Sequence, residues 1–225
     1  MESFVLFGRP GWGSVLVEAQ LVWYGVPFEY RQVGDLFADP DAGRELRTFN
    51  PLVQVPTLIV DDGAVMTESA AITLWLAERF DSTELVPAPR TSERGPFLRW
   101  LLFLTSNIYP TYTYVDDPSR FVGEPAAQRA FATTVNQYAE RLYSIVDSAA
   151  SRPWFLGDRM SALDLYICTM THWRPGRPWF EANAPALVAI ADRAEALSQL
   201  ARVWERNFPP GQSPDSSDPA GSDSA

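Results

Sequence analysis

The chain of 225 residues carries 28 acidic side chains against 18 basic ones, a net charge of −10 and a pI near 4.6, which argues against a nucleic-acid partner, since that would ask for a basic face. Hydrophobic residues at 46% and charged residues at 20% are ordinary for a globular protein, so a sizeable core can form. One cysteine, Cys168, excludes an intrachain disulfide and fits a reducing compartment.

Met1 to Phe7 has no basic stretch leading into a long apolar run, and no segment reaches the roughly 18 apolar residues of a membrane span. A cytoplasmic location with no membrane partner is expected. Ser3 to Phe7 reads as a short buried strand ended by Gly8-Arg9-Pro10-Gly11. Val15 to Tyr24 is long and apolar enough for a buried helix, and Phe28 to Val33 alternates as a second strand. Asp39 to Phe49 is polar and predicts a short helix, with Pro40 in its first turn. Thr57 to Val60 is a third strand, joined by the turn Asp61-Asp62-Gly63 to a short antiparallel fourth, Ala64 to Met66. Apolar residues recur at helical spacing from Thr67 to Phe80. The order β-α-β-α-β-β-α over residues 1–80 is that of a thioredoxin-like domain.

Residues 81–91 are rich in proline and polar side chains and read as a linker. Beyond them only helices are expected, in an all-α domain over 92–208. They cover Glu93 to Tyr109, Ala126 to Ala150, Leu163 to Trp173, and two shorter stretches around Pro185–Ala194 and Leu197–Arg206. Residues 209–225 have the composition of a disordered tail.

The segment Asn50-Pro-Leu-Val-Gln-Val-Pro56 leads into a strand, an Asp-Gly turn, a short strand, and then Glu68-Ser69 opening a helix. A helix start offers unpaired N–H groups and the positive end of a dipole, which attract a carboxylate. In this order and spacing the segment resembles the glutathione-binding signature of the glutathione S-transferase superfamily, in its bacterial cytosolic form. A second match is Ser161 with Asp164, which resembles the capping box of that family's buried helix.

The resemblance implies a cis bond before Pro56 and a Val55 main chain free to pair with an extended peptide such as glutathione. It implies that Ser69 and the helix start hold the γ-glutamyl carboxylate and that Glu68 holds the ammonium group. Gln54 is a further candidate contact. Simple capping by Thr67 or Ser69 is the structural alternative, and the two roles can coexist.

The resemblance places the thiol-activating group between the first strand and the first helix. Here that stretch is Arg9-Pro-Gly-Trp-Gly-Ser14, with glycine at both aligned positions, Gly11 and Gly13. Ser14 is the nearest hydroxyl: it either donates to the sulfur or caps the helix. Main-chain N–H groups around Trp12 are the other option. Arg9 is expected to be a solvated loop residue. Tyr109, Tyr112 and Tyr114 are candidates for the acceptor-substrate wall or for interdomain packing. Cys168 sits in an apolar helix, so chemistry through a protein–glutathione disulfide is disfavoured. His172 is the only histidine, and no metal site or cofactor beyond glutathione as co-substrate is expected.

The expected function is transfer of glutathione, as its thiolate, to a small apolar electrophile, the chemistry of detoxification. The resemblance also implies a homodimer. The alternatives are a glutathione-fold binding protein without turnover, and glutathione-dependent isomerisation, dehalogenation or peroxide reduction, which the fold does not separate.

Overall fold

A computed structural model describes residues 4–39, 41–61 and 63–209. Ser3, Pro40, Asp62 and the expected tail from residue 210 onward lie outside them.

The N-terminal half is thioredoxin-like. Strands β1 (Phe4–Gly8), β2 (Phe28–Gln32), β3 (Thr57–Val60) and β4 (Ala64–Met66) form one sheet in the order β2-β1-β3-β4. β1 runs parallel to β2 and antiparallel to β3, and β3 and β4 form a hairpin. Helices α1 (Ser14–Trp23) and α2 (Ser69–Arg79) pack on each other, and Val17, Leu21, Ile72 and Leu76 meet Phe4, Leu6, Leu58 and Val60 of the sheet in one core. The helix expected from Asp39 does not form. That segment is a series of turns with a single 3₁₀ turn at Leu46–Thr48. The Asp35 carboxylate accepts from the N–H groups of Phe37 and Ala38, and the Asp39 carboxylate from that of Asp41, which holds the chain in turns.

No helix or strand lies between Phe80 and Glu93. The remainder is helical: α3 (Arg94–Phe103), α4 (Tyr109–Asp116), α5 (Pro125–Ala149), α6 (Ala162–Thr171), α7 (Arg177–Asn183), α8 (Pro185–Glu195) and α9 (Ala201–Asn207). Among the described residues no strand follows β4, and no helix is long and apolar enough to cross a membrane. The predicted stop at Tyr109 is absent. α3 continues through a π-helical turn at Leu104–Ile108 straight into α4. Pro110 explains the turn: it has no N–H to give and its ring crowds the preceding turn, and the wider π spacing relieves both. The short α7 has no counterpart among the expected helices.

Every residue of α6 is buried, and Asp164 caps it from inside. Its carboxylate accepts from the N–H groups of Phe155 and Ser161, each at 2.7 Å, and from the Ser161 hydroxyl at 3.1 Å. The two halves share a core. Val15, Leu16 and Ala19 of α1 cluster with Leu163, Tyr166 and Ile167 of α6. A buried polar chain crosses the same boundary, from Gln20 to the Thr73 hydroxyl at 2.9 Å and from there to the Tyr166 hydroxyl at 3.1 Å.

Candidate functional site

Four segments position the candidate residues: the β1–α1 loop, the loop before β3, the start of α2, and α4. In the β1–α1 loop Gly11 has φ +78, a conformation glycine adopts without steric cost. The helical half grips this residue on both sides. Asn207 accepts from the Gly11 N–H at 3.1 Å, and the Trp173 indole N–H donates to the Gly11 carbonyl at 2.6 Å. Arg9 is not a solvated loop side chain. It pairs with Asp35 at 3.1 Å and lies over the Trp12 ring, which in turn packs on Phe37. Among the described residues the N–H groups of Gly13 and Ser14 have no acceptor, as a helix start without a side-chain cap leaves them.

The structure turns Ser14 inward. It is fully buried, its Oγ accepts from the Arg9 N–H at 3.0 Å and donates to the Arg9 carbonyl at 3.1 Å. A Cβ on Gly8 would lie 2.7 Å from this hydroxyl and 2.7 Å from that of Tyr30, so Ser14 lies against the sheet. Both hydrogen-bonding directions of the side chain are spent on the loop. It neither caps α1 nor reaches outward as a donor.

Before β3, Asn50 organises the turn. Its amide donates to the Gln54 carbonyl and to the Thr57 hydroxyl, and its carbonyl oxygen takes the Leu52 N–H. Val53 has φ +53, and the Val55–Pro56 bond is cis with Pro56 buried. Gln54 is exposed. Among the described residues the Val55 N–H and C=O make no hydrogen bond, so this main chain is open to an added strand.

Glu68 is the N-cap of α2 and adopts φ +63, which costs a non-glycine residue about 1–3 kcal/mol and concentrates at sites that use the geometry. Its side chain is exposed and makes no capping bond. Capping by Thr67 or Ser69 is not adopted either. The first N–H groups of α2, from Ser69 onward, are therefore open, and Ser69 itself is 9% exposed.

α4 divides the three tyrosines. The Tyr109 hydroxyl lies against Gly13: a Cβ there would be 1.6 Å from it and 3.4 Å from the Val55 carbonyl oxygen. Burial, followed by the neighbouring Tyr166, Tyr112, Asp116 and Glu68, raises the Tyr109 phenol well above its ordinary pKa. Tyr112 stands behind it, bonded to the Tyr143 hydroxyl and to the Arg174 carbonyl. Tyr114 instead lines an open apolar depression with Phe121, Phe131, Val135 and Tyr138. Thus Gly13, Val55 and Tyr109 converge, with Glu68 in electrostatic range, whereas Ser14, Tyr112 and Tyr114 face elsewhere. No local signal in the sequence joins Tyr109 to Gly13, because the contact crosses the two halves.

Cys168 is buried, and burial pushes its thiol well above the usual range. With His172 and Glu195 it forms a group of metal-ligating side-chain types whose ligand atoms lie within 4.8 Å of one another. The same Glu195 oxygen already meets the His172 ring at 3.0 Å and the Arg177 guanidinium at 3.1 Å. These contacts make the group an ion-paired clamp between α6, α7 and α8, and we assign it no metal. His172 also stacks on Phe208, with ring centres 3.9 Å apart.

Residues 17–79 match the family model "Glutathione S-transferase, N-terminal domain". A GST-like protein of Escherichia coli, YncG, is 38% identical over 204 residues, covering 90% of this chain and 97% of the relative. A glutathione S-transferase of Xanthomonas campestris is 28% identical over 170 residues, covering 75% and 81%. The fold is shared with a glutathione transferase homologue from Sulfitobacter, solved with bound glutathione, at a TM-score of 0.80 and 22% identity over 91% of this chain and 98% of that one. The chain belongs to the glutathione S-transferase superfamily.

Proposed function

We propose that this chain is a glutathione transferase-like enzyme that binds glutathione and presents its thiolate to a small apolar electrophile. The observation that carries the reading is the approach of two open groups, the Val55 main chain and the start of α1 at Gly13, with Glu68 at the uncapped start of α2 in electrostatic range of Tyr109 beside them. Glutathione is an extended tripeptide with a carboxylate and an ammonium at one end. The α2 start and Ser69 bind that carboxylate, Glu68 the ammonium, and Val55 the cysteinyl main chain. The thiol then lies near the uncapped N–H groups of α1, whose partial positive charge favours a thiolate. Gln54 and Trp12 border this path. Bacterial relatives named for glutathione transfer, and the Sulfitobacter homologue with its bound glutathione, support the reading.

In this scheme the protein forms no covalent link to glutathione. Its thiol proton leaves to water, and the sulfur attacks an electrophile held on the helical half around Tyr109. Ionising the thiol and holding the partners together supply the rate. A cytoplasmic homodimer, as the family implies, completes the proposal. The test is the ultraviolet thiolate signal of glutathione on the wild-type protein against pH, followed by a panel of electrophiles. The bound thiol should ionise at least about one unit below free glutathione, which needs about 1.4 kcal/mol of preferential thiolate stabilisation. Binding with an unshifted thiol and no turnover of any electrophile would favour the ligand-carrying alternative.

A further inference from the structure

Position 13 opens α1 and faces the proposed thiol, yet it carries no side chain. The space is not empty. A Cβ built on Gly13 would fall 1.6 Å from the Tyr109 hydroxyl and 2.9 Å from the ring carbon bearing it. The phenol oxygen therefore occupies the volume of a residue-13 side chain, beside the Val55 carbonyl and the open N–H groups of α1.

The placement is built. Tyr109 is the first residue of α4, where the π turn at Leu104–Ile108 ends. Its ring is held edge-on by Tyr112 and Trp173, with centres 6.2 and 5.7 Å away. Trp173 in turn is bonded to the Gly11 carbonyl, so one indole ties the phenol to the loop it faces. The Tyr109 hydroxyl has no hydrogen-bond partner among the described residues, in contrast to Tyr112, whose hydroxyl is spent on Tyr143 and Arg174. The ionisable groups around it, Tyr166, Tyr112, Asp116 and Glu68, all disfavour a phenolate. It stays a neutral O–H donor.

We propose that the hydroxyl that activates the glutathione thiol comes from the helical half: Tyr109 stands in for the absent side chain at Gly13 and donates a hydrogen bond to the sulfur. This rests on the glutathione reading above. The thiol proton goes to solvent, Tyr109 keeps its own, and the S⁻ gains a donor. Tyr109 is then a catalytic residue, because it touches the reacting atom. Gly13 is a positioning residue, because any side chain there would evict the phenol.

The experiment measures glutathione affinity by calorimetry, and the pKa of the bound thiol by its ultraviolet signal, in wild type, Tyr109→Phe and Gly13→Ala. Tyr109→Phe keeps the ring and its packing, and thermal melting checks the fold. The expected result is a rise of about one pKa unit in Tyr109→Phe, which is about tenfold less thiolate at a pH below both values, with glutathione affinity at pH values where the thiol stays protonated changed less than twofold. Gly13→Ala should raise the pKa similarly and add little when combined with Tyr109→Phe. A bound thiol with the same pKa in wild type and Tyr109→Phe overturns the inference and leaves the glutathione reading standing. Absence of any glutathione binding to the wild type overturns both.

Discussion

Ser14 shows how little a residue's type and position decide by themselves. A hydroxyl at a helix start can cap the helix, point at a ligand, or turn back to its own loop, and all three are short-range options of similar free energy. The third is realised, because Arg9 presents both an N–H and a carbonyl to the same side chain. Ser14→Ala leaves the Arg9 N–H without its partner, at about 1–3 kcal/mol, while the Arg9 carbonyl keeps the Trp12 N–H. We expect a loss of about 1–3 kcal/mol in denaturant unfolding and a smaller shift of the bound thiol's pKa than in Tyr109→Phe. A stability equal to wild type with a shift of a full unit would return the donor role to Ser14. The backbone form around Val55, Glu68 and Ser69 was legible in the sequence for the opposite reason. It is local, a turn ending at Pro56 and a helix start, and local form leaves a pattern of spacing. Tyr109 leaves none, because its partner belongs to a distant element.

At the scale of elements, legibility followed sequence pattern. α1, β3, α5 and α6 are set by continuous apolar runs or a clear stripe and β4 by the turn before it, and each was expected within a residue or two. The segment from Asp39 had no apolar stripe to bury, and it forms turns with a single 3₁₀ turn at Leu46–Thr48. The rod from Arg94 to Asp116 reads as ending at Tyr109 because Pro110 follows, but the π turn lets it pass. α6 offers the cleanest test of an element. Burial pushes the Asp164 carboxyl up to about 6, against the hydrogen bonds from Phe155 and Ser161 that favour its charged form. Asp164→Ala orphans two buried N–H groups and should cost about 2–4 kcal/mol. The sign of its pH dependence follows from the raised pKa. The folded chain binds the proton more tightly than the unfolded one, so the Asp164 contribution is full below the ordinary value of 3.8 and declines as pH rises through about 6. Urea unfolding of wild type and Asp164→Ala from pH 3.5 to 7 should show the difference between them narrowing; a widening gap would contradict the direction.

In the molecule as a whole, the residues proposed for glutathione belong to one half and the surroundings proposed for its thiol to both. Asn207 and Trp173 reach from the helical half to fix Gly11, and Glu18, fully buried in α1, is paired with Arg206 and Asn207. The β1–α1 loop is thus held by α9 and by the residues that follow α6, and α1 is buried on the sheet side and the helix side alike. This explains why fold and family were readable from local patterns while the approach of Tyr109 to Gly13 was not. The central claim is that glutathione sits on Val55 with its γ-glutamyl end at Glu68 and Ser69. Calorimetric titration of glutathione into wild type, Glu68→Ala and Ser69→Ala tests it most directly. Each variant removes one charge-assisted hydrogen bond and should lose about 1.5–3 kcal/mol, a weakening of about 10- to 150-fold, with the melting temperature retained. A wild type that takes up no glutathione, or two folded variants that bind it as tightly as wild type does, would contradict the account.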